Sequence, residues 1–285
     1  MPTATPVGVR APDPGLARYV AGVVITVVAV LSQYFVPQTV PATRWVYGNF
    51  AGDLLVVYGI PIVAFLALLG VGSLRAWRAR MGDAAREGLA WYGTLYLASL
   101  VVVVVLVIVY ALVDPSALTL LSRENPALTQ AQSDPWFYVG FSFVVGAIEE
   151  TIFRGWIFGF WSTRPTPWVV PAIWTSALFA AVHLYYGLTY GVASPLVYPS
   201  LFLVGFAFAA TYRYSGGNLV VPALLHGQMD ATAYLDLISP VAANVIRYGI
   251  VAVGVGIAIV GYLRSPTRSP GAGTDPTSGP PPPAA

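Results

Sequence analysis

The sequence predicts an all-α, polytopic bundle of about eight transmembrane helices, and three observations carry that expectation. Hydrophobic residues make up 57% of the 285-residue chain, charged residues only 9%, and mean hydropathy is +0.72. A soluble globular domain carries about 25% charged residues. Long apolar runs recur along the chain, and the arginines between them fall with a strong bias to alternate gaps.

The runs long enough to cross a hydrocarbon core of about 30 Å lie at 17–36, 53–74, 89–113, 136–160, 168–188, 195–213, 218–238 and 241–263. The first follows Arg10 and Arg18 and is too long for a signal-peptide core, so it is expected to persist as an uncleaved anchor. The first three form an N-terminal scaffold within 1–135, and the remaining five form a core over 136–263. Residues 264–285, ending SPTRSPGAGTDPTSGPPPPAA, cannot bury enough apolar surface to fold and read as a disordered tail.

Even-numbered gaps and both ends hold Arg10, Arg18, Arg75, Arg78, Arg80, Arg86, Arg164, Arg213, Arg264 and Arg268; odd-numbered gaps hold only Arg44, Arg123 and Arg247. Basic residues concentrate on the cytoplasmic side. The pattern therefore fits eight spans with both termini in the cytoplasm, and supports an even number. A net charge of +2 offers no basis for a nucleic-acid partner. With no cysteine, disulfides, thiolate metal sites and a cysteine nucleophile are excluded.

Ionisable groups at membrane depth cost about 2.5–3.5 kcal/mol each on insertion scales and mark functional positions. The fourth run holds Glu149, Glu150 and Arg154; the fifth holds His183; the seventh holds His226 and Asp230, with Asp236 near its end. Glu150 and Arg154 are four apart, one above the other on a helix face, as are His226 and Asp230, and Phe179 and His183. Phe179 reads as core that shapes the pocket. Asp236 reads as interfacial, and the tyrosines and tryptophans as interface belts and packing. Gly146, Pro171 and Pro222 are expected to interrupt their helices and open cavities. His183 and His226 fall at different depths by residue count, so their meeting requires tilted helices or shifted boundaries.

Three helices can thus aim carboxylates and the chain's two histidines at one pocket. A carboxylate beside a histidine polarises water, and a second histidine with a polar neighbour donates to a developing oxyanion. Those are the parts of a hydrolase acting on a carbonyl such as a peptide bond. The same residue types, Glu149, His183 and His226, also suit a divalent metal such as zinc. Carboxylates and histidines at mid-membrane equally build the relay of a proton- or cation-coupled transporter, although no inverted repeat of the transporter kind is visible.

The segment GAIEETIFRGWIFG resembles the Glu-Glu-x-x-x-Arg motif of the CAAX-prenyl-protease and bacteriocin-processing (CPBP) family. FAAVH at 179–183 is similar to its Phe-x-x-x-His motif, and HGQMD at 226–230 to its His-x-x-x-Asn/Asp motif, with Asp230 where better-known members have Asn. The resemblance covers about residues 136–238 and keeps the motif order. It implies an intramembrane endopeptidase, commonly labelled a metalloprotease, acting on peptides or membrane-anchored proteins. It further implies Glu149 as the base that activates water with help from His183, His226 and Asp230 as oxyanion stabilisers, and Glu150 with Arg154 as supports. A non-catalytic member acting as a scaffold or immunity factor is the remaining alternative. The His-Glu-x-x-His, Gly-x-Ser-Gly and Gly-x-Gly-Asp signatures of other intramembrane proteases are absent.

Overall fold

The computed structural model describes residues 15–47, 50–70, 72–113, 135–162, 164, 166–183, 194–235 and 240–264. Among these residues the chain is helical throughout, with no strand. Each apolar run expected to be a span contains helix, though run 53–74 is divided between two helices and the helix of run 168–188 ends at Val182. By length and composition, Leu16–Pro37 and Trp136–Trp161 can each cross a membrane, and the bent pair Leu54–Leu69 and Gly72–Asp83 adds a third. Val28, Leu97, Val101 and Leu112 are each more than 60% exposed, an apolar exterior suited to lipid rather than water. Asp236 and most of the Pro-rich tail lie outside the described residues.

Helix α1 (Leu16–Thr39) starts after Gly15, whose φ of 77° suits glycine. A 3-10 turn at Pro41–Thr43 and two single helical turns lead to a π-helical segment, Leu54–Gly59, which runs into α2 (Ile60–Leu69). Pro61 has a physical part in that widening. It cannot donate to the carbonyl four residues back, and its ring crowds that carbonyl, so the preceding turn takes the wider i→i+5 form. Helices α1 and α2 cross closely where Gly22 meets the Phe65 ring; a Cβ at Gly22 would lie 2.7 Å from Phe65 Cε1.

The second expected run, 53–74, is not one straight span. Gly70 (φ 77°) ends α2, and the chain bends by 117° into α3 (Gly72–Arg78), which continues as a π segment to Asp83. The arginine-rich stretch thus lies largely on a helix. Arg80 donates to the Gly155 carbonyl (3.2 Å), and its own carbonyl accepts from Leu219 N (3.1 Å), so this stretch is stitched to the core.

Then follow α4 (Ala85–Val113), α5 (Pro135–Glu150), α6 (Val169–Val182), α7 (Ser194–Tyr214), α8 (Val220–Leu235) and α9 (Pro240–Arg264). Beyond Glu150, α5 continues as an eight-residue π segment, Thr151–Phe158, and a last turn to Ser162. Helix α8 is the hub, packed on α5 most extensively and also on α4, α7 and α9.

Three sequence expectations about interruptions are corrected here. Pro171 and Pro222 each occupy the third position of their helices, α6 and α8, in the first turn where the missing N–H has no intrahelical partner anyway. Gly146 opens nothing: it is the contact point of α5 and α8, where a Cβ would lie 2.6 Å from Gly227 N and 2.9 Å from the Ala223 carbonyl. The real irregularity is the π segment immediately after the glutamate pair, which no proline announces.

Candidate active site

Successive residues on a helix point about 100° apart, so Glu149 and Glu150 face different surroundings. Glu150 is wholly buried. Its Oε1 accepts from Arg154 Nη1 (2.8 Å) and from His226 Nδ1 (2.8 Å). Arg154 Nη2 donates to the Gly205 carbonyl of α7 (2.7 Å). The guanidinium lies 5.0 Å from the Phe179 ring centroid, 5.4 Å from Phe208 and 5.8 Å from Phe153. A buried charge is tolerable only when paired and hydrogen-bonded; the pair and its bonds to His226 and Gly205 go most of the way, with Glu150 Oε2 and Arg154 Nε left without a hydrogen bond among the described residues, and they tie α5, α7 and α8 together.

His226 is held by more than Glu150. Phe208 stacks on its ring (5.0 Å, 28°), and Phe179 meets it edge-on (5.7 Å, 72°). Its Nε2 lies 3.5 Å from Asp230 Oδ2 and 3.8 Å from Glu149 Oε2. The ring therefore presents one nitrogen to the structural carboxylate and the other to two further acids. Asp230 is the most exposed of the group, with a third of its side chain accessible.

Glu149 turns the other way. Its Oε1 accepts from the Tyr58 hydroxyl (3.1 Å), while its buried Oε2 has no hydrogen-bond partner among the described residues and lies 3.8 Å from His226 Nε2. The carboxylate lines a cavity of about 240 Å³ together with His183, Tyr58, Gln33 and Tyr34. His183 is the C-cap of α6, and its Nδ1 lies 2.7 Å from the Phe179 carbonyl. A carbonyl only accepts, so Nδ1 carries the proton in this bond. The His183 ring also rests on Phe179 (4.7 Å).

All the sequence-selected residues thus converge: Glu149, Glu150, Arg154, Phe179, His183, His226 and Asp230. The two histidines come together around Phe179. Helix α6 stops at Val182 rather than 188, leaving His183 at its end, and Phe179 one turn earlier touches both rings. Phe179 is therefore more than wall: it contacts both histidines and Arg154.

Sequence reasoning missed Tyr58, Phe208, Gln33 and Tyr34. Tyr58 and Tyr34 were absorbed into the interface belts, and Phe208 carries no signal apart from the general apolarity of its helix. A polar Gln33 inside the first apolar run was the one available hint. Equally unanticipated, a hydroxyl from the N-terminal scaffold region reaches the carboxylate of the core.

Among the described residues no three His, Asp or Glu side chains form a group that could hold a metal ion. Glu150 Oε1 and His226 Nδ1 are spent on each other, and Glu149 Oε1 is spent on Tyr58. The donor set as arranged does not fit zinc. What it does provide is a glutamate and a histidine lining a shared polar cavity in which water can be held.

Residues 131–232 match a family model described as Type II CAAX prenyl endopeptidase Rce1-like. No curated protein and no solved structure matches the chain. The matched segment contains every member of the cluster from Glu149 to Asp230, whereas Tyr58 and helices α1–α4 lie outside it. Over that segment, about a third of the chain, the sequence is similar to the Rce1-like CAAX prenyl endopeptidases, in agreement with the resemblance carried by its three motifs.

Proposed function

We propose that this protein is a multi-pass intramembrane endopeptidase of a prokaryotic cytoplasmic membrane that hydrolyses peptide bonds with a Glu149-activated water. The eight long apolar segments and their arginine bias support eight crossings with both termini cytoplasmic. The observation that carries the catalytic reading is that Glu149 and His183 line one polar cavity, while Glu149 Oε2 makes no hydrogen bond among the described residues and lies 3.8 Å from His226 Nε2.

Water held between Glu149 and His183 loses a proton to Glu149 as its oxygen attacks the scissile carbonyl carbon. The resulting oxyanion is stabilised from the His226–Asp230 side, since His226 donates from both nitrogens in its imidazolium form. Collapse of the intermediate breaks the C–N bond, and Glu149 returns the proton to the leaving amine. Glu150 and Arg154 take no part in proton transfer; they fix the His226 ring. Substrates are peptides or membrane-anchored proteins that reach the cavity from the bilayer.

The test uses purified protein in liposomes with two internally quenched peptides, one ending in a farnesylated CAAX sequence and one unprenylated. Glu149→Gln should slow cleavage by about 10²–10⁴-fold, the usual worth of a general base, and His183→Ala and His226→Ala should also be strongly impaired. Folded variants that all cleave like the wild type would sink the assignment.

A further inference from the structure

Glu149 is asymmetrically held. A terminal carboxylate torsion is broad and roughly two-fold, so nothing intrinsic to a glutamate decides which oxygen faces a cavity. Here the Tyr58 hydroxyl, 91 residues away in sequence, holds Oε1, while Oε2 is buried without a hydrogen bond among the described residues, 3.8 Å from His226 Nε2.

The support behind Tyr58 is firm. It sits in the π segment Leu54–Gly59, beside Val57, which is only 3% exposed, and that segment packs on α1. Short π segments inside helices recur at functional sites because they re-aim side chains. Two of them, Leu54–Gly59 and Thr151–Phe158, lie next to the two ends of this hydrogen bond. Tyr58 also lines the cavity itself, across from His183.

We propose that Tyr58 is a positioning residue for the reaction, fixing the orientation of the Glu149 carboxylate at the cavity where the attacking water is held. The N-terminal helices then complete the site. This rests on the reading of Glu149 as the base, and the experiment separates the two claims.

Tyr58→Phe removes the hydroxyl and keeps the ring. In the same peptide-cleavage assay kcat should fall by about 10–100-fold, the range that misplacing a reacting group by about 1 Å produces, with KM and thermal unfolding unchanged. Infrared difference spectra of wild type minus Tyr58→Phe should show a shifted carboxylate stretch, and that shift should vanish when the pair is compared in the Glu149→Gln background. An unchanged kcat, or a loss that appears wholly in KM, overturns the positioning role. A carboxylate band that does not move overturns the contact. Should Glu149→Gln cleave normally, the reading of Glu149 as base fails, while the infrared result still decides whether Tyr58 holds it.

Discussion

Replacing Gly146 with alanine adds one methyl group, yet its position makes it a test of the whole site. The new Cβ would sit 2.6 Å from Gly227 N, 2.9 Å from the Ala223 carbonyl and 3.0 Å from Gly227 Cα. Ordinary van der Waals contact begins near 3.4 Å, so α5 and α8 must part by about 0.8 Å. Every opposing atom is backbone, which leaves no flexible side chain to give way. The same two helices carry the 2.8 Å bond between Glu150 and His226. A separation of that size takes the bond to about 3.6 Å, beyond hydrogen-bonding range. Overpacking of this kind costs about 1–3 kcal/mol of stability, and losing His226's anchor should cost more in activity than in folding. The assay pairs cleavage of the quenched peptide with thermal unfolding of the protein in liposomes. Full activity with an unshifted unfolding transition would refute the close crossing and the use of Glu150 to hold His226.

Two further predictions concern the buried charges and the donor set. Arg154→Met should destabilise by about 3–5 kcal/mol, because it removes the guanidinium from buried Glu150 and leaves His226 as its remaining partner, and Arg154→Lys should rescue poorly, since one ammonium cannot match the fork that serves both Glu150 and the Gly205 carbonyl. Denaturant unfolding measures both. Because the clustered side chains do not form a metal site, cleavage by purified protein should survive prolonged treatment with a chelator; loss of activity that is restored by added zinc would show that the site rearranges around a metal.

Much of this protein is readable from sequence, and the reasons are local. Apolar runs at bilayer length specify helices because unsatisfied backbone groups are too costly in lipid. Charged residues inside such runs identify the site because so few have another reason to be there. Helical spacing alone pairs Glu150 with Arg154, the bond seen at 2.8 Å, since four residues bring side chains into register within a single helix.

What only the tertiary structure decided is how groups from different helices divide the labour. Adjacent glutamates look alike in sequence, yet one is locked to Arg154 and His226 while its neighbour faces a cavity, because helix packing determines which side of α5 is sealed. Gly146 and the two prolines look like helix breakers, but one is a crossing point and the others stand in first turns where no hydrogen bond is lost. The tie between Tyr58 and Glu149 spans 91 residues. No periodicity encodes it, because periodicity describes one helix at a time, and contacts between helices arise only when their faces are brought together.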